Sequence, residues 1–85
     1  MTVRFNKRFI KQYKKLRALQ RKVDKRLVLF KDNPFHPTLN NHALSGKYQG
    51  RHSINITGDY RAIYTLVAND TAMFVELNTH SNLYK

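Results

Sequence analysis

Three alternating segments, divided by two short turn signals, constrain this chain more than any other feature in it. In 51–57, Ile54 and Ile56 point to one side of a strand, and Arg51, Ser53, Asn55 and Thr57 to the other. Gly58-Asp59 then turns the chain. In 60–67, Ala62, Tyr64 and Leu66 alternate with Arg61, Ile63 and Thr65, so this strand is apolar on both faces, as a central strand would be. Asn69-Asp70 makes a second turn, and in 72–80 Met73, Val75 and Leu77 alternate with Phe74, Glu76, Asn78 and His80. Strands joined this closely pair antiparallel, which predicts a three-stranded meander.

The first half carries a different period. Thr2 to Phe5 alternates as a short strand, and Asn6 is suited to cap a helix. Phe9, Tyr13 and Leu16 recur at helical spacing, the pattern is interrupted near 18–21, and Val23, Leu27 and Phe30 resume it. Pro34 disfavours helix in the residue before it, so the second helix should stop near Asp32-Asn33. Pro34 and Pro37 stiffen the connection that leads to His42 and Ser45-Gly46. The predicted fold class is α+β in the order βααβββ, one domain over 1–85, with a helical hairpin packed on a twisted antiparallel sheet.

The helices need apolar partners, so Ile54, Ile56, Tyr64, Leu66, Met73, Val75 and Leu77 are expected beneath them. That leaves Arg51, Asn55, Arg61, Glu76, Asn78 and His80 together on the open face.

Composition narrows the chemistry available to that face. The chain has 16 Lys plus Arg against 5 Asp plus Glu, a net charge of +11, and twelve of the cations fall in residues 1–31. A domain this basic suits a polyanion or an acidic protein as partner. With no cysteine, disulfides and thiolate metal sites are excluded. The histidines lack metal-ligand spacing, the glycines form no phosphate loop, and no serine has a nucleophile setting, so no cofactor or metal is expected. No apolar run approaches the ~20 residues of a membrane span and no signal-peptide pattern opens the chain, so a soluble cytoplasmic protein is expected.

A basic, histidine-bearing, polar sheet face fits RNA cleavage by side chains. The 2′-hydroxyl must lose a proton as it attacks the neighbouring phosphate, the charge that develops needs cations, and the departing 5′-oxygen needs a proton. His42, Asp59 and His80 are candidates for proton transfer, and Arg51 and Arg61 for gripping phosphate. Tyr60 and Tyr84 could stack on unpaired bases, and Asn55 could contact the same strand. Structural roles compete for the same residues. Asp59 is also a turn former, Arg61 could pair with Glu76, His36 sits between two prolines, and His52 should share the side of Ile54.

The stretches His42-Ala43-Leu44-Ser45-Gly46, Gly50-Arg51, Asn55 to Tyr64 and Asn78-Thr79-His80-Ser81-Asn82-Leu83-Tyr84 resemble the RelE/ParE toxin superfamily, and within it the YafQ-type and RelE/StbE-type toxins. The resemblance implies a microbial RNase fold and a type II toxin neutralised by a cognate acidic antitoxin. It implies a monomeric toxin held in a hetero-oligomeric complex, and metal-free cleavage of mRNA in the A site of a 70S-type ribosome. It matches the family's site at His42, Asp59, Tyr60, His80 and Tyr84, with His80 as general acid, His42 or Asp59 as base or base-orienting group, and Arg51 and Arg61 as phosphate stabilisers. The chain departs from the YafQ pattern at Asn55, where that pattern has a histidine, and near Glu76, where it has an arginine. The alternatives are a ParE-like DNA gyrase inhibitor and a non-enzymatic RNA-binding module.

Overall fold

The computed structural model describes residues 1–83. It contains β1 (Thr2–Phe5), α1 (Lys7–Lys15), α2 (Gln20–Asp32), β2 (His42–Ala43), β3 (His52–Asn55), β4 (Tyr60–Ala68), β5 (Thr71–Thr79) and α3 (His80–Leu83). The strands form one sheet in the order β1-β5-β4-β3-β2. The meander β3-β4-β5 is antiparallel as expected, and β2 adds a two-residue strand to its outer edge. The sheet is mixed, because β1 runs parallel to β5. Parallel neighbours need a long crossover, and the helical hairpin and the meander between them provide it.

Local chemistry sets the helix ends. The Asn6 side-chain oxygen accepts from the Phe9 N–H at 2.8 Å and satisfies one of the unpaired donors of α1. The chain leaves α1 at Leu16, turns through a 3-10 segment at Arg17–Leu19 and enters α2. Asn33 ends α2 in an extended conformation, as the following Pro34 requires.

Phe9, Val23, Leu27 and Phe30 from the helices meet Ile54, Ile56, Ala62, Tyr64, Ala72, Phe74 and Leu77 from the sheet. Phe74 sits at the centre, 5.6 Å from the Phe9 ring, 5.3 Å from Phe30 and 5.3 Å from Tyr64. The helix-facing set therefore differs from strict alternation along β5. Ile63 pairs with Glu76 and Tyr64 with Phe74, so Val75 is an extra residue in β5. This bulge reverses the facing of the strand, and Phe74 and Ala72 take the places expected for Val75 and Met73. Leu66, also expected under the helices, is 46% exposed near the end of β4.

The outer edge of β5 has two covers. β1 pairs with it as far as Phe74, whose carbonyl accepts from the Asn6 N–H. Beyond that point the Gln12 side-chain oxygen on α1 accepts from the Leu77 N–H at 2.8 Å, standing in for a strand that has ended.

Candidate functional site

The polar end of the sheet is built around the turn 57–60. The Thr57 hydroxyl accepts from the N–H groups of Asp59 and Tyr60, at 3.2 and 3.0 Å. The Arg61 guanidinium then closes the turn from below, with Nη1 donating to the carbonyls of Thr57 (3.0 Å), Gly58 (3.0 Å) and Tyr60 (3.2 Å). The one turn carbonyl left over, that of Asp59, accepts from the His80 N–H at 2.7 Å. The first residue of α3 is thus tied to the tip of the β3-β4 turn, and His80 and Asp59 are both exposed there.

Register lines up the polar row beside this turn. Asn55, Arg61 and Asn78 are direct neighbours on β3, β4 and β5. Alternation places them on the side opposite Ala62 and Tyr64, as expected. Two residues further along the strands, His42, Ser53, Ile63 and Glu76 form the next row on that side. Ser53, Ile63 and Leu83 of α3 are buried and lie outside the helix-side cluster, so this face is also partly covered. The Asn55 side-chain oxygen is buried with no hydrogen-bond partner among the described residues. Asn78 uses its oxygen internally, accepting from the Thr79 N–H and from Asn82 Nδ2.

His42 lies on the far strand of the sheet. Its Nδ1 is 2.8 Å from the Asn40 carbonyl, an acceptor, so this nitrogen carries the proton and the neutral ring keeps its lone pair on Nε2. Asn40 reaches that geometry in the left-handed region, at φ 46°, which asparagine tolerates better than most residues. The preceding loop is held by Tyr64, whose hydroxyl donates to Asn41 Oδ1 at 2.8 Å while Asn41 Nδ2 donates to the Pro34 carbonyl. Burial pushes the Tyr64 phenol above its ordinary value. Three strand spacings and four residues of rise separate His42 from His80, on the order of 15–20 Å between Cα atoms. The two histidines do not share a hydrogen-bonding site.

The remaining candidates divide as follows. Arg51 precedes β3 with the facing of Ser53 and Asn55 and is half-buried, in a loop closed by the Leu44 N–H on its carbonyl. Gly50, at φ +89°, gives that loop a turn that suits glycine. Tyr60 alternates with Arg61, faces the helix side and packs against the core, so it borders the polar row from the opposite face. Tyr84 lies outside the described residues. Glu76 pairs with Arg8 of α1 at 3.5 Å, which leaves Arg61 to the turn. His36 caps the Pro37–Leu39 turn by accepting from the Thr38 N–H, and His52 stacks on Tyr64 at 5.0 Å, both structural roles. Thr57 and Gln12 were not legible as site-building residues. Thr57 could have been found from its place two residues before Asp59, where a hydroxyl commonly closes a turn. No signal in the sequence marks Gln12. Among the described residues, no three His, Asp or Glu side chains gather as metal ligands, and no helix is long and apolar enough to cross a membrane.

Comparison with known proteins places this geometry. The chain superposes on YafQ from E. coli strain BL21(DE3) with a TM-score of 0.82 at 19% identity, covering 98% of this chain and 97% of that one. It also superposes on a YoeB/ParE toxin from Agrobacterium tumefaciens with a TM-score of 0.78 at 18% identity, covering 94% and 99%. A copper-bound mutant toxin from Helicobacter pylori aligns with a TM-score of 0.72 at 29% identity, covering 98% of each chain. These likenesses establish the RelE-like fold. No individually curated protein matches the chain. The family model described as the bacterial toxin of the type II toxin-antitoxin system, YafQ, matches residues 1–85 from end to end. The chain belongs to the YafQ family of type II toxins.

Proposed function

We propose that this toxin is a ribosome-dependent endoribonuclease that cuts mRNA by acid–base chemistry at the 57–61 turn end of the sheet. The observation that carries the reading is the junction of His80 with the turn. The exposed residue His80 is anchored through its main-chain N–H to the carbonyl of Asp59, the residue before Tyr60, beside the row Asn55–Arg61–Asn78. A base withdraws the 2′-hydroxyl proton, the 2′-oxygen forms a bond to phosphorus, and the phosphorus–5′-oxygen bond breaks. His80 gives its proton to the departing 5′-oxygen, leaving a 2′,3′-cyclic phosphate and a 5′-hydroxyl. The free N–H groups of Arg61 and the guanidinium of Arg51 offset the charge on the pentacoordinate phosphorus. Asp59, bonded through its main chain to His80, is the base nearest the acid. His42, with Nε2 presented as acceptor, is the alternative, and it otherwise holds the RNA strand further along the face.

The partner that silences the toxin is an acidic antitoxin. The motivation is the charge of +11, together with solved complexes of similar toxins, E. coli DinJ–YafQ and Staphylococcus aureus YoeB–YefM. The same cations, concentrated on α1 and α2, serve to dock on ribosomal RNA.

The test incubates the toxin with translating ribosomes and, separately, with gyrase and supercoiled plasmid. Cuts in mRNA at codon positions that disappear with His80→Ala are expected. Gyrase-linked DNA breaks with intact mRNA would instead identify a ParE-like inhibitor, and the absence of both would leave an RNA-binding module.

A further inference from the structure

Two arginines beside the sheet are already occupied. Arg61 donates to the carbonyls of the 57–60 turn, and Arg8 pairs with Glu76. Two others, Arg4 and Arg51, make no side-chain hydrogen bond or ion pair among the described residues.

Register sets these two in one row. On β1, Val3 packs against the core and the Phe5 ring lies 6.1 Å from that of Phe74, so both face the helices and Arg4 between them faces the other way. Arg4 pairs with Met73, and Met73 with Thr65. His52 pairs with Tyr64, which puts Arg51 opposite Thr65, and the Thr65 hydroxyl donates to the adjacent Gly50 carbonyl at 3.2 Å. The row Arg4–Met73–Thr65–Arg51 is exposed at Arg4 and half-buried at the other three. Ser53 and Ile63, both buried, stand between it and the row of Arg61, so it is a separate surface on the same face.

The two arginines stand three strand spacings apart, on the order of 14 Å between Cα atoms, so each can hold its own anion. The row contains no carboxylate, and Glu76 in the adjoining row is paired with Arg8. Between the cations lie the soft, apolar Met73 thioether and Thr65, whose hydroxyl proton is spent on Gly50. Cation, apolar surface, cation complements phosphate, base, phosphate. Arginine suits phosphate through its paired N–H groups, and a methionine sulfur suits a flat ring. An acidic peptide would meet the cations but gain nothing from the thioether.

We infer that a single RNA strand crosses this row, its backbone held by Arg51 and Arg4 and a base lying on Met73. The inference rests on the nuclease reading for its meaning, since the strand would continue from the one cut at the turn, past the exposed His42 at the β2 edge. Binding can be measured without any cleavage.

The probe is a 2′-O-methylated oligouridylate of about ten nucleotides, which has no 2′-hydroxyl to attack, bound to the full chain over a range of salt. An oligoglutamate of equal charge is the comparator. Arg4 is exposed and bonded to nothing, so Arg4→Gln should fold as wild type. Arg4→Gln and Arg51→Gln should each weaken RNA binding severalfold and lower the slope of log affinity against log salt by about 0.7, the weight of one phosphate on a single strand. Lys11→Gln, exposed on α1 over the opposite face, should change the slope by less than half as much. Met73→Ala should weaken RNA binding and leave the oligoglutamate unaffected. An equal change in Lys11→Gln, an unchanged slope in Arg4→Gln, or RNA binding indifferent to Met73→Ala would each overturn the proposal. Oligoglutamate binding as tight as RNA, with the same dependence on Arg4 and Met73, would also overturn it and assign the row to an acidic partner. Ribosome-dependent cleavage by the wild-type chain alongside any of those results would show that this row, and not the nuclease reading, had failed.

Discussion

The two faces of the sheet stabilise themselves by different means. The helix-covered face is an aromatic cluster in which Phe9, Phe30, Tyr64 and Phe74 lie within 6 Å of at least one other ring. Its stability is spread over apolar area and tolerates no loss of volume. The opposite face, toward its 57–61 end, is ordered by directed bonds. One hydroxyl accepts two N–H groups, one guanidinium donates to three carbonyls, and the remaining carbonyl holds the start of α3. Dispersed packing makes a rigid support, and directed bonds place individual side chains, so substitutions on the two faces should fail in different ways.

The sharpest separation of the faces is expected from His80→Ala. His80 is exposed and its backbone bond to Asp59 survives the change, so thermal unfolding should stay near wild type. Cleavage should fall by about 10²–10⁴, the usual weight of a general acid. Phe74→Ala should do the reverse, costing about 3–5 kcal/mol in denaturant unfolding by leaving a cavity among three rings. Met73→Ala, on the opposite face of the same strand segment, should cost about 1 kcal/mol. If Met73 proved the costlier of the two, the bulge at Val75 would be wrong.

Arg61→Ala should weaken both properties together. It takes a donor from the Thr57 and Gly58 carbonyls, while the Tyr60 carbonyl keeps the N–H groups of Ile56 and Thr57, with an expected cost of about 1–3 kcal/mol, and it loosens the turn that holds His80. Loss of cleavage with no change in unfolding would make Arg61 a phosphate ligand alone. Asn6→Ala removes only the α1 cap and should cost about 1 kcal/mol without touching cleavage.

The smallest expected effect is on pH dependence. Burial raises the Tyr64 phenol, and a hydrogen bond to Asp24 raises Tyr13, so both lose a proton less readily folded than unfolded. Their contribution is complete below the unfolded value near 10 and is lost as pH rises through the folded values. Tyr64→Phe should flatten part of that alkaline decline in an unfolding series. An identical slope would remove Tyr64 as its source.

The pattern of what was legible follows the same division. Alternation read β3 and the first half of β4 correctly, setting Ile54, Ala62 and Tyr64 apart from Asn55 and Arg61, because no extra residue interrupts the pairing there. It failed in the first half of β5, because the bulge at Val75 reverses the facing of the residues before it and no glycine or proline announces it, whereas Leu77 and Asn78 beyond it face as expected. The parallel pairing of β1 was hidden because strand direction is decided by distant connections, and four residues contain no record of them. At the site, residue types pointed to His80, Asp59 and Arg61, and the structure brings all three to one turn. Their bonds were beyond reach, since the three carbonyls that hold Arg61 are backbone groups common to every residue. His42 was selected by its chemistry and by the family resemblance, neither of which carries strand order, and the sheet order places it three strands from His80.

The central claim is that His80 delivers the proton to the departing 5′-oxygen. Its most direct test replaces that oxygen by sulfur at the cleaved linkage of the RNA, because a thiolate leaves without being protonated. Wild type and His80→Ala are then compared on both substrates in the ribosome assay. The account predicts that the His80→Ala defect shrinks on the sulfur substrate by most of the ~10²–10⁴ it shows on oxygen. An equal defect on both substrates would contradict it.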